Sequence, residues 1–445
     1  MFKSFRNAFQ IADIRKRIAY TFMMLVVVRL GSLLPAPGVD SSVVAELFSS
    51  QNSAFNFLNA FTGGSFEQMS IFALSISPYI TSSIIVQLLT IAIPKLEEMQ
   101  KDGEEGKKKM AALTRYVTVA LAVIQSVAMG IGFGSQGLFG GEKATFMQVA
   151  MFALTLTAGS SFLMWVGERI TEKGIGNGIS VILLINILSS LPQDLLTLYG
   201  FVDTQIGEKK YVLAALVAIL ILVIILVVVV FVIFLQGGQR KIAVQYSQKI
   251  QGRKTVGGQS SHIPLKVNTA GVIPVIFASS LMQFPLLIVS FLSKDGASGV
   301  WEEILNALNS NNWFNQGSEF KYTWGLILYI ALTIAFAYFY TSITFNPLEI
   351  ANNMKKSGGF VPGIRPGKPT ADYLTKILNY IIFVGAIGLV IVQVIPFFFN
   401  GWFNASVSFG GTSLIIIVGV VLETIEQVES KMVVRNYKGF LNSGK

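Results

Sequence analysis

The chain has 445 residues and a net charge of +10, yet only 13% of it is charged, 52% is hydrophobic and the mean hydropathy is +0.61. Soluble domains carry about 25% charged residues, so a soluble enzyme or binding domain is excluded. With no cysteine in the chain, disulfides, thiolate metal ligands and cysteine nucleophiles are excluded as well.

Residues 1–18 form a basic tail in which Phe2, Phe5, Phe9 and Ile11 stand among Lys3, Arg6, Arg15 and Arg17. The pattern suits either an amphipathic helix on the membrane surface or a solvated tail. Apolar stretches follow, each close to the roughly 20 residues that cross a bilayer. They lie at 19–37, 71–93, 115–134, 146–167, 178–197, 211–235, 269–292, 323–343, 373–397 and 411–428. The clearest is Tyr211–Leu235; the weakest is 178–197, which carries Asn186, Ser189 and Ser190. The first stretch is long and no small-residue cleavage pattern follows it, so no cleavable signal peptide is expected. Twenty-eight of the 34 Lys and Arg residues fall in the termini and the even-numbered loops. The odd-numbered loops hold only Lys143, Lys209, Lys210, Lys294 and Lys321. This asymmetry predicts ten spans with both termini in the cytoplasm.

The interiors of the stretches are informative for what they lack. None has Asp, Glu or His at its core; Glu168, Glu423 and Glu426 stand at cytoplasmic ends. Ion-coupled transporters usually need such buried groups. Arg29 is the one charge well inside a span; it either snorkels to the outer face or lines a wet cavity, and a structural role is expected. Gln87, Thr90, Gln125 and Asn268 are neutral polar groups, suited to interhelical hydrogen bonds of around 1 kcal/mol each. That strength fits a seam that opens, and ordinary helix packing accounts for it equally well. Ten spans divide into five and five, which permits two inverted halves.

Two cytoplasmic loops go beyond the positive-inside pattern. Loop 236–268 carries Arg240, Lys241, Lys249, Arg253, Lys254 and Lys266 without one acid, which suits an acidic or phosphate-rich partner. Within 344–372, the stretch NPLEIANNMKKSGGFVPGIRPGKPT frames Lys355, Lys356, Arg365 and Lys368 with Gly363 and Pro366. It holds no nucleophile, metal cage or phosphate cradle and reads as a surface that a large molecule grips. No catalytic residue, metal or cofactor is expected.

Five strings resemble the SecY family of protein-translocation channels: IFALSISPYITSSIIVQLL (71–89), GERITEKGIGNGISVIL (167–183), KVNTAGVIPVIFASSLMQFP (266–285), SGGFVPGIRPGKPTADYL (357–374) and GGTSLIIIVGVVLE (410–423). They are long and family-specific, and they occur in order across both halves. The resemblance implies an all-α fold of ten transmembrane helices, with a first half at 19–197, a second at 198–428 and a cytoplasmic tail at 429–445. It also implies a mid-membrane pore ring of Ile76, Ile80, Leu183, Ile187, Ile276 and Ile416. Leu183 stands where isoleucine is common and keeps the ring apolar. Each of these residues taken alone would read as packing or lipid contact.

By the same resemblance, the segment at about 55–65 is a plug: Phe55, Phe57, Leu58 and Phe61 on a short helix, with Gly63 and Gly64 as its hinge. A surface amphipathic turn is the alternative. Spans 2, 3, 7 and 8 would form a lateral gate, with Gln87, Gln125 and Asn268 in its seam. Arg240, Lys241, Lys249, Arg253, Lys254, Lys355, Lys356 and above all Arg365 would dock the SecA motor or the ribosome. SecE and SecG are the expected small subunits, with SecDF, YidC, membrane lipids and the signal sequences of preproteins as further partners. An inverted-repeat secondary transporter is the competing class, and a lipid scramblase or structural scaffold is a third.

Overall fold

Helices stand on every apolar stretch. The computed structural model describes residues 11–40, 59, 62–134, 137–140, 144–207, 211–246, 249–251, 254–256, 260–292, 300–309, 313, 320–403 and 411–442. The first half contains α1 (Ala12–Ser32), α2 (Ser77–Ala92), α3 (Pro94–Lys101), α4 (Gly103–Gly134), α5 (Phe146–Lys173) and α6 (Gly178–Gly207). The second contains α7 (Tyr211–Gly237), α8 (Ile273–Leu292), α9 (Val300–Leu308), α10 (Trp324–Thr344), α11 (Pro347–Lys356), α12 (Lys368–Phe403) and α13 (Gly411–Asn442). Among the described residues, four helical stretches are long and apolar enough to cross a membrane by themselves: Gly103–Gly134, Phe146–Lys173, Trp324–Lys356 and Lys368–Ile395. A fifth results if α2 and α3, bent by 109° at their junction, count as one.

That bend has a local cause. Ile93 precedes Pro94, whose ring disfavours helical backbone in the residue before it, and Ile93 is extended at φ −115° and ψ 108°. The expected span 71–93 is also shorter than its hydropathy suggests, since helix begins only at Ser77 and residues 63–76 run through turns. Met69 and Ser75 take positive φ (43° and 51°) there. The Ile71 amide donates to the Leu34 carbonyl at 2.9 Å and the Ala36 amide to the Met69 carbonyl at 2.8 Å. These cross-links satisfy backbone groups that a helix would have paired internally. Gly159 makes room for this turn: a Cβ on it would lie 2.0 Å from the Ile71 carbonyl oxygen. At the N-terminus, α1 runs unbroken from Ala12 through the expected tail boundary at 18. No Pro or Gly interrupts it before Gly31. Residues 1–10, with Phe2, Phe5 and Phe9, lie outside the described residues.

In the first half α4 packs on α2 and α5, and α1 on α5 and α6; in the second α10 packs on α8 and α12, and α13 on α7 and α12. The halves meet along two lines. Helix α8 lies against α2 and α4 on one, and α6 lies against α7 and α13 on the other.

The all-helical expectation fails outside the bundle. Strands β1 (Gln239–Tyr246), β4 (Ser260–Lys266) and β5 (Gly359–Phe360) form one sheet in the order β4-β1-β5. The strands β2 (Lys249–Gln251) and β3 (Lys254–Val256) pair as a separate antiparallel ribbon. Strand β1 runs antiparallel to β4 from Gln239↔Lys266 to Gln245↔Ser260, and to β5 through Gln245↔Phe360 and Tyr246↔Gly359. Period-two alternation drives it: Ile242 and Val244 turn inward onto Leu265, Met354, Val361 and Leu374, while Arg240, Lys241, Ala243 and Gln245 are exposed. Residues from both 236–268 and 344–372 are therefore joined in one sheet.

Candidate functional site

All six residues of the expected ring belong to one apolar cluster. Ile76, Leu183, Ile187 and Ile416 are buried in it, at 1%, 5%, 1% and 0% exposure, and Ile80 and Ile276 pack against it partly buried. Ile76 caps the start of α2 and Ile80 follows one turn later. Leu183 and Ile187 share a face of α6, being four residues apart. Ile276 comes from the first turn of α8 and Ile416 from α13. The cluster thus joins side chains from both halves with no polar group among the six.

Beside it lies a polar group that sequence reasoning did not assemble. The Arg29 guanidinium donates through Nη1 to the Gly63 carbonyl at 3.1 Å, and Ser189 Oγ donates to the same oxygen at 3.3 Å. Asn186, buried on α6, donates through Nδ2 to Ser75 Oγ at 3.0 Å. Its Oδ1 has no hydrogen-bond partner among the described residues. Gly63 and Gly64 have φ of +67° and +83°, a conformation that favours glycine. Phe55, Phe57, Leu58 and Phe61 lie outside the described residues.

Among the described residues, the three expected seam residues are not hydrogen-bonded to one another. Gln87 on α2 and Gln125 on α4 are half-buried, and Asn268 is buried and donates through Nδ2 to the Gly271 carbonyl at 2.9 Å, closing its own turn before α8. Hydroxyl pairs link the helices instead: Ser82 with Thr118 between α2 and α4, and Ser126 with Thr157 at 3.2 Å between α4 and α5. Ser and Thr are common in spans for ordinary reasons, so their sequence carried no signal of this pairing.

On the sheet side, Arg240 and Lys241 are exposed on β1, and Lys355 and Lys356 are exposed in the last turn of α11. Asn346 caps α11 by accepting from the Glu349 amide at 3.3 Å. Arg365 is exposed between Gly363 and Gly367, at φ +81° and +105°, and its carbonyl accepts from Thr370 Oγ1 at 2.8 Å. Lys249 and Lys254 fall on the β2–β3 ribbon, and Arg253 lies outside the described residues.

Two of the expected span-end carboxylates pair with cations. Glu168 pairs with Arg115 and Glu426 with Lys266, each at 2.7 Å. In the C-terminal helix, Lys431 donates to the Gly174 carbonyl at 3.4 Å. Burial, and then the charge of Arg17, lower the Lys431 ammonium below its ordinary value, with Asp13 opposing.

Two packed halves of apolar helices, sharing an aliphatic core and carrying a cationic sheet at one end, define a polytopic helical membrane protein of channel architecture. The chain belongs to the SecY family, whose model matches residues 70–425. The protein translocase subunit SecY of Halalkalibacterium halodurans is 43% identical over 447 residues, covering 99% of this chain and 100% of the relative. That of Bacillus subtilis is 43% identical over 449 residues, covering 100% of both. The fold is similar to a solved protein-conducting channel (TM-score 0.65, 18% identity, 94% of this chain and 93% of the other). It is also similar to Sec61 in the canine ribosome–channel complex from the endoplasmic reticulum (TM-score 0.64, 18% identity, 94% and 93%).

Proposed function

We propose that this chain is the central pore-forming subunit of the bacterial protein translocon. It is a passive, non-enzymatic channel that moves unfolded preproteins across the cell membrane and releases transmembrane segments sideways into lipid. The observation that carries this reading is the convergence of Ile76, Ile80, Leu183, Ile187, Ile276 and Ile416 from α2, α6, α8 and α13 on one apolar cluster. A narrow aliphatic collar resists ions by dewetting. Its side chains close around a passing chain without specific bonds, so the sequence of that chain matters little.

In this reading the ten apolar helices all span, in two inverted five-helix halves, with both termini cytoplasmic. The seam where α8 meets α2 and α4, with α10 behind it, is the lateral gate, and the segment 55–65 is the plug. The sheet that joins 236–268 to 344–372 is the dock for the SecA motor or the ribosome, which supply the driving energy. SecE and SecG complete the complex, and SecDF, YidC, anionic lipid and signal sequences are further partners.

A photo-crosslinker at Ile80 or Ile276, with a secretory chain stalled in transit, tests the collar. Crosslinks to the stalled chain are expected at both positions. Their absence in a translocation-competent preparation overturns the collar assignment, and coupled solute uptake would favour a transporter.

A further inference from the structure

We propose that Arg29 and Ser189 form a two-helix clasp on the Gly63 carbonyl, with Asn186 as the alternative acceptor, that keeps the turn at Gly63 and Gly64 seated in the resting channel. The proposal rests on the reading of 55–65 as the plug.

One backbone oxygen takes two donors from helices far apart in sequence, Arg29 Nη1 at 3.1 Å and Ser189 Oγ at 3.3 Å. A guanidinium held among apolar helices needs acceptors, and its charge makes the hydrogen bond stronger than a neutral one. Gly63 is pressed against the clasp. A Cβ there would meet Ser189 Oγ at 2.6 Å, Arg29 Nη1 at 2.9 Å and the Asn186 Cα at 2.9 Å. The same contacts put Asn186 beside the guanidinium. The Asn186 side chain is 2% exposed and its Oδ1 is unpartnered.

When the Gly63 carbonyl leaves, Arg29 therefore has a second acceptor to turn to, so the departure does not strand a charge. Two discrete hydrogen-bonded arrangements make a switch rather than a continuous yielding. The turn is itself tied together: the Gly64 amide donates to the Asn59 carbonyl at 3.1 Å, and Asn59 Nδ2 to Glu67 Oε2 at 2.8 Å. What holds Gly63 thereby also holds Asn59 and Glu67.

The absence of cysteine allows a clean reporter. Thr62 is 3% exposed, so Thr62→Cys in the assembled translocon, reconstituted in vesicles, reacts with an outer-side impermeant maleimide only when the turn is released. In the parent, labelling is expected to be slow at rest and faster with a stalled secretory chain. Arg29→Leu should raise resting labelling and resting ion conductance about tenfold, the loss of one charge-assisted bond. Ser189→Ala should raise both by less, and Arg29→Lys should recover part of the closure. Asn186→Leu should act oppositely, leaving resting labelling low and slowing the response to the stalled chain, a sign that general destabilisation does not produce. If Arg29→Leu leaves resting labelling unchanged while Thr62→Cys still responds to the stalled chain, the clasp is wrong and the plug reading survives. If Thr62→Cys never responds, the plug reading itself fails. Should Arg29→Leu not accumulate, Ser189→Ala and Asn186→Leu decide by the same readout, and effects of the same sign for both overturn the clasp.

Discussion

The apolar cluster and the sheet outside the helical bundle both join distant stretches of chain, but they are held in opposite ways. The cluster is held by apolar side chains, with Ile76, Leu183, Ile187 and Ile416 contributing no directional bond. The sheet is held by a backbone ladder from Gln239↔Lys266 to Gln245↔Ser260, continued to β5, over a core of Ile242, Val244, Leu265 and Leu374. Apolar contacts are non-directional and scale with area, so the cluster opens without a defined set of bonds to break. A ladder fixes register and resists shear. In the proposed reading, the part that widens is built from one kind of contact, and the part that takes a push from the other.

Reversing a charge on the sheet side is the largest way to break this contrast. Arg365→Glu leaves the ladder and its core untouched and replaces a cation with an anion at an exposed, glycine-framed position. Motor-driven secretion should fall by about tenfold or more, the effect of roughly 1.4 kcal/mol or greater in docking, while membrane insertion and thermal stability stay at parent values. Normal secretion would remove Arg365 from the docking surface. Next in size, Ile416→Asn puts an amide into a site that is 0% exposed. It should wet the constriction and raise resting ion conductance several-fold, as expected when an apolar collar loses its dewetting, with secretion rates much less affected. An unchanged resting conductance would show that Ile416 packs the bundle without sealing the pore.

Much of the bundle was legible in the sequence, because spans carry long apolar runs and the i,i+4 pair Leu183 and Ile187 already shares a face. The sheet was not read, although KIAVQY alternates as a strand should. The glycines and charges around it gave 236–268 the composition of a loop, and β5 is only two residues long, too short for any pattern. The break before α2 was hidden because Ser70 and Ser75 sit within an apolar run whose hydropathy says nothing of positive φ. Arg29 was visible as an anomaly, but its partner is a backbone carbonyl 34 residues away, which no periodicity reports. Asn268, expected in the seam, closes a turn onto Gly271, since a polar side chain near a helix start readily finds local backbone.

The smallest expected effect tests whether the docking loop is rigid or merely charged. Thr370 Oγ1 donates to the Arg365 carbonyl at 2.8 Å, and Thr370 is 1% exposed at the start of α12. Thr370→Val keeps the volume and removes the donor, which for a single neutral hydrogen bond amounts to about 1 kcal/mol. If the loop works by presenting Arg365 at a fixed place on the sheet, loosening that tether should reduce motor-driven secretion about two- to fivefold. Sensitivity of secretion to salt should stay as in the parent, since every charge remains. If only the local positive field matters, Thr370→Val secretes like the parent while Lys355→Gln with Lys356→Gln does not, and the contrast between a yielding collar and a stiff dock would reduce to one between apolar and charged surface.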